Sequence, residues 1–206
     1  MMTGTHNRAG AKLKFGLCLI LLAATAFAAD TPEPRWLLLP EPSFMDHQVR
    51  RTIPGSDRTI LTVARLVDGE IEPLTRDQKR KIPASFGRVV EGARAHASEV
   101  LARLEPKFVR DRKGVIEYAV LESDDPLTAT AVLAPDFGER FADTLGPEIL
   151  VAIPNRFQIL VFSRQDTAHV KAGELIITGY LSATYPVSRE IFEWDKSGLR
   201  SLGVYR

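Results

Sequence analysis

The chain is poor in the residues that carry the most recognisable chemistries. Cysteine occurs once in 206 residues, which excludes a disulfide framework and any multi-cysteine metal site. Charge of one sign is missing too. Lysine and arginine number 27 against 26 acidic residues, a net +1, so nothing points to a nucleic-acid or anionic-membrane binder. No G-x-S-x-G elbow, S-x-x-K, H-E-x-x-H or phosphate-binding glycine loop occurs anywhere. Against these absences stand 45% hydrophobic and 26% charged residues, enough to bury a core and incompatible with a wholly disordered or collagen-like chain.

The N-terminal residues read as an export signal. Arg8, Lys12 and Lys14 form a positive start, Phe15 to Ala29 carries no charge, and Ala26-Phe27-Ala28 supplies the small residues of a cleavage site. Cleavage is expected near Ala28. The apolar run falls short of the roughly 20 residues of a membrane span, so no stable span is expected after cleavage. Removing residues 1–28 takes away three basic residues, no acidic ones and the sole cysteine, Cys18. The mature chain then carries −2 and no thiol. The expected location is exported, periplasmic or extracellular, with thiol and redox chemistry excluded.

Residues 29–57 hold Pro32, Pro34, Pro40, Pro42 and Pro54, a density that prevents a helix or a central strand and predicts an extended lead-in. A hairpin follows. Thr59 to Val67 is rich in β-branched residues, Asp68-Gly69 is a favoured two-residue turn, and Glu70 to Leu74 returns. Phe86, Val89, Val90, Ala93, Ala97, Val100, Leu101 and Leu104 recur at helical steps, predicting a half-buried helix that ends at Pro106.

Val115 to Leu121 and Thr128 to Ala134 are strand-like, with Ser123-Asp124-Asp125-Pro126 as a turn between them. Asp136 is expected to cap a short helix with Phe137, Phe141 and Leu145 four apart and Gly146 as its C-cap. Glu148 to Ile153 and Phe157 to Ser163 read as another hairpin around Pro154-Asn155-Arg156, and Asp166 to about Tyr185 as a third helix. Asp195 to Gly198 is a turn and Leu199 to Val204 a closing strand. The expected fold is α+β: an antiparallel sheet of hairpins alternating with helices, as ββα units, in a single domain over residues 58–206.

Leu145 to Arg156 (LGPEILVAIPNR), with Pro186-Val187-Ser188 and Phe192-Glu193-Trp194-Asp195, resembles the YtpQ-like family of uncharacterised bacterial proteins. There a strand of the form ILVAVP runs into a Ser/Asn-Arg-Asp turn and a Pro-Leu-Ser segment leads to the last element. Phe157 stands here in place of that acidic residue. The resemblance implies a fold and, the family being of unknown function, no activity.

Four residues are candidate binding groups. Asn155 and Arg156 would present an amide and a planar guanidinium fork at a hairpin tip, suited to a carboxylate or phosphate, unless Asn155 serves the turn through a left-handed backbone and Arg156 pairs with an acidic neighbour of its own sheet. His96 and Glu99 lie three apart on the long helix, as a proton-transfer pair or half a metal site; the other mature histidines, His47 and His169, have no matching spacing. Ser163, Asp166 and His169 are close in sequence, which is no support for a catalytic triad, and Ser163 or Asp166 is expected to cap the following helix. The basic run Arg76, Lys79, Arg80 and Lys81 is broken by Asp77 and lacks stacking aromatics, so it reads as a solvated helix start.

Charge is also distributed unevenly: residues 50–113 carry 15 basic and 9 acidic side chains, residues 114–195 carry 5 and 13. These would form a dipole or neutralise each other in space. No cofactor or metal is expected. The function expected is that of a non-catalytic domain binding an envelope protein or component, or self-associating; the alternative is a small hydrolase using His96, Glu99 and Arg156.

Overall fold

The computed structural model describes Met1 and residues 35–82 and 86–206; the expected signal peptide lies almost wholly outside them. Ten strands form two antiparallel sheets with helices against them, so the α+β class holds. In the small sheet, β3 (Thr59–Val67) is central. β1 (Arg35–Pro42) lines one side of it, while β2 (Arg50–Thr52) and β4 (Glu70–Pro73) share the other, opposite residues 60–62 and 64–67 of β3. The proline-rich lead-in thus supplies two strands. Pro40 and Pro42 are accommodated because β1 is an edge strand, where a missing N–H breaks no ladder on the open side. The Asp68-Gly69 turn is as expected, both residues having positive φ (51° and 86°), the backbone of a primed hairpin turn.

The large sheet has the order β10-β9-β7-β8-β6-β5. Its strands are β5 (Lys107–Arg110), β6 (Ile116–Glu122), β7 (Ile149–Asn155), β8 (Gln158–Ser163), β9 (Glu190–Asp195) and β10 (Gly198–Val204). β7 and β8 are almost uninterrupted apolar runs because both sheet faces are covered. Ile149, Val151, Ile153, Ile159, Val161, Phe192 and Trp194 face a main core shared with the small sheet and with the helix α2 (Phe86–Arg103). Leu150, Ala152, Leu160, Phe162 and Ile191 face a second core under α4 (Ala168–Lys171) and α5 (Gly173–Leu181). The period-two alternation along β7 therefore separates two cores.

Four expectations need correction. Asp136 caps no helix: its carboxylate accepts from the Ser98 hydroxyl, and the segment after it divides into a short 3-10 stretch (Gly138–Arg140) and a single helical turn (Ala142–Leu145). Thr128–Leu133 is a buried 3-10 segment instead of a strand. Asp125 Oδ1 accepts the Leu127 N–H, and the Thr128 and Thr130 hydroxyls donate back to the carbonyls of Asp125 and Leu127. This local bonding satisfies the backbone without a partner strand, and a short apolar run does not by its period distinguish the two outcomes. Without that strand the middle ββα unit does not exist, and β6 pairs with β5 and β8 instead. The third helix is broken at Ala172-Gly173 into α4 and α5, where the Tyr205 ring lies so close that a Cβ on Gly173 would meet it at 2.9 Å. The N-cap of α4 is Thr167, and neither Ser163 nor Asp166 occupies it; the Asp166 carboxylate accepts the Ala168 N–H at 3.0 Å from the preceding position. The basic run forms the exposed α1 (Arg76–Lys81), with a capping box on Thr75.

The segment after the 3-10 turn carries much of the core order. Phe137 and Phe141 are fully buried, and Phe137 lies 5.2 Å from Phe141 and 5.8 Å from Trp194 between ring centres. The Trp194 indole donates to the Val132 carbonyl at 2.8 Å. Between these rings sits Gly138, where any Cβ would run into the Trp194 ring. Gly138→Ala is expected to destabilise the fold by about 1–3 kcal/mol through overpacking, read as a lowered urea midpoint with unchanged slope. A neutral outcome would mean that Trp194 is free to move.

Candidate functional site

Asn155 and Arg156 sit at the tip of the β7–β8 hairpin, with the turn itself formed by Arg156-Phe157. Asn155 does not take the left-handed backbone one reading allowed it; among the described non-glycine residues only Asp46 and Asp68 have positive φ. Its side chain acts instead. The amide oxygen accepts the Phe157 N–H at 2.9 Å and the amide nitrogen donates to the Gly179 carbonyl at 3.2 Å, tying the turn to α5.

Arg156 reaches across to the small sheet. Its guanidinium donates to Glu41 of β1, a carboxylate only 2% exposed, and lies 5.2 Å above the Tyr185 ring. His47 Nε2 stands 2.7 Å from the other Glu41 oxygen, although the two are not aligned for a hydrogen bond. The arginine fork is therefore spent on an internal carboxylate that proline-rich β1 carries. Sequence reasoning named Arg156 and missed Glu41, because the pair is 115 residues apart.

His96 and Glu99 do pair on α2, Nδ1 to Oε2 at 3.1 Å. His96 is buried with its Nε2 unpartnered, whereas Glu99 is exposed. His96, Glu99 and Arg156, which a hydrolase would need in one cleft, line none of four cavities found among the described residues. No group of three or more metal-ligating side chains occurs among the described residues, and no described helix is long and apolar enough to cross a membrane. A second buried carboxylate, Glu190, also lay outside the sequence reading. It accepts from Ser56 at 2.7 Å, from Ser201 at 3.0 Å and from the Thr59 hydroxyl, joining the small sheet to the β9–β10 hairpin. Its donors come from residues 56–59 and from Ser201, stretches that no local pattern groups.

The largest of the four cavities is an open groove of about 820 Å³ between the β7–β8 tip, the end of β6 and α5. Asn155, Phe157 and Gln158 line one side of it, Thr178, Ser182 and Thr184 the α5 side, and Lys107, Glu122 and Asp124 its end. The Lys107 ammonium donates to Glu122 and holds that carboxyl below its ordinary range, against the opposing effect of burial. This pair contributes stability above the ordinary carboxylate pKa and loses it as pH falls through the lowered value. The basic and acidic halves of the sequence meet here: Lys107 with Glu122, and Arg103 with Asp125 at 3.6 Å. At this edge the two charge blocks neutralise each other.

The two segments that carry the YtpQ-like resemblance are neighbours in space. β7 pairs with β9, the Val187 and Ser188 N–H groups donate to the carbonyls of Pro154 and Ile153, and Arg156 N–H donates to the Tyr185 carbonyl. Protein-family models, curated proteins and solved structures were each compared with the chain, and none matches it.

Proposed function

We propose that the chain is an exported, non-catalytic α+β domain that binds a neutral, polyhydroxylated component of the cell envelope in the groove beside the β7–β8 tip. The observation that carries this reading is the composition of the groove. Amide and hydroxyl side chains, which both donate and accept, are the largest group in a wide open lining, with Phe157 and the exposed Leu175 beside them. Such a lining matches ligands whose hydroxyls must exchange water for protein hydrogen bonds, with an aromatic face to cover their C–H surface. Lys107 and Glu122 neutralise each other and leave Asp124 as the net charge of that end, which disfavours an anionic ligand. Export rests on the signal-like residues 1–28, and kinship with the YtpQ-like family rests on residues 145–156 and 186–195.

Titration of the full chain with an N-acetylglucosamine trimer, followed by calorimetry, tests the reading. Saturable binding is expected, with Phe157→Ala weakening it about tenfold while the circular dichroism spectrum stays unchanged. Absence of binding, or equal binding by Phe157→Ala, would overturn the assignment of this groove. The export component is checked separately by N-terminal sequencing of the secreted protein, expected to begin at Ala29.

A further inference from the structure

A second cavity lies on the other side of the molecule's sheet system and has a different chemistry. It encloses about 220 Å³ between the small sheet, α2 and the β9–β10 turn, and it is more closed than the groove. Its apolar lining comes from Leu38 of β1, Leu61 of β3, Val90 of α2, Leu133 of the 3-10 segment and Leu199 of β10. Two arginines, Arg51 and Arg94, line the same cavity, and no acidic residue does.

Among the described residues neither arginine has an acidic partner, although most other charged groups around the large sheet are paired. Arg94 donates one N–H to the Lys196 carbonyl at 2.7 Å, and its Nε is buried with no acceptor. A buried guanidinium N–H without an acceptor is a rare and costly arrangement in a folded protein. An apolar cavity with two arginines and no acidic residue in its lining is complementary to a molecule that is apolar at one end and anionic at the other. The volume is below that of drug-sized sites, which limits the occupant to a small molecule.

We infer that this cavity is a binding site for a short aliphatic carboxylate, its tail among Leu38, Val90, Leu133 and Leu199 and its carboxylate on Arg94 and Arg51. The site is independent of the polar groove and shares no lining residue with it.

The test is titration of the isotope-labelled full chain with hexanoate, hexanol and acetate, followed by amide NMR shifts. Hexanoate is expected to give saturable shifts at Val90, Leu133 and Leu199. Hexanol, which lacks the charge, and acetate, which lacks the tail, are each expected to bind at least about tenfold more weakly. Arg94→Met should weaken hexanoate binding about tenfold or more. Because Arg94 also holds the Lys196 carbonyl, the exposed Arg51→Met serves as a second variant, expected to fold normally and to weaken hexanoate without changing hexanol. Failure to saturate at millimolar hexanoate, equal binding of hexanol, or unchanged affinity in a folded Arg51→Met and Arg94→Met pair would each overturn the assignment.

Discussion

Arg156→Ala is expected to lower the unfolding free energy by about 3–5 kcal/mol. The magnitude follows from what the substitution leaves behind. Glu41 is almost completely buried on edge strand β1, and Arg156 is its aligned charge partner among the described residues, since His47 approaches without a hydrogen bond. Removing the guanidinium strands a carboxylate in the interior and also removes the contact with the Tyr185 ring. Chemical denaturation of Arg156→Ala reads the loss directly.

A double variant separates pair from packing. Replacing both members by apolar residues of similar size, Glu41→Leu with Arg156→Met, is expected to recover most of the loss, because no charge is then left unmatched. A cost below about 1 kcal/mol for Arg156→Ala would place Glu41 in water and dissolve the link between the sheets. Arg156→Lys is expected to be intermediate, since an ammonium restores the charge without the planar fork.

Phe137→Ala is expected to cost about 3–5 kcal/mol, through lost burial and the cavity left between Phe141 and Trp194. Phe137 is fully buried, and its ring is in contact range of both other aromatics. It lies where the chain leaves the buried 3-10 segment and turns towards β7, so relaxation around the gap is restrained by the Trp194 hydrogen bond to Val132. Urea denaturation of the variant should show a large shift in midpoint. Phe137→Leu should lose less, because much of the volume remains. A loss under about 1 kcal/mol for the alanine variant would be typical of a surface position and incompatible with this packing.

Where local rules were sufficient, the sequence was readable. The Asp68-Gly69 turn needs positive φ at both positions, and few dipeptides accept that, so β3 and β4 followed from the residues. The long helix followed from its apolar spacing, and its buried residues Val89, Ala93, Ala97, Val100 and Leu101 are those the spacing picks out. β7 and β8 followed as apolar runs joined by turn chemistry. Thr128–Leu133 misled because a short apolar stretch has no readable period, and its threonines bond locally instead of to a neighbouring strand. β1 was legible only as an extended lead-in, because its prolines exclude a helix or a central strand and nothing local shows that β3 would take it as an edge partner.

The candidate site divides in the same way. Asn155 was visible as a tip residue, and its role in tying the turn to Gly179 required α5 to be in place. Arg156 was visible as a group in need of an anion, but Glu41 became its partner only through the packing of β1 near the hairpin tip. The cavity with Arg51 and Arg94 draws its lining from β1, β2, β3, α2, the 3-10 segment and the β9–β10 turn, and no spacing in the chain relates these.

By itself the sequence determined the α+β class, two of the hairpins and the amphipathic helix, all of which depend on neighbours a few residues apart, and its single cysteine leaves no disulfide framework. Only the tertiary structure decided which carboxylates are buried, which arginines are paired and where the cavities lie. Those properties depend on desolvation and on distances between residues that the chain separates by tens of positions, and both are set only once the sheets and helices have packed.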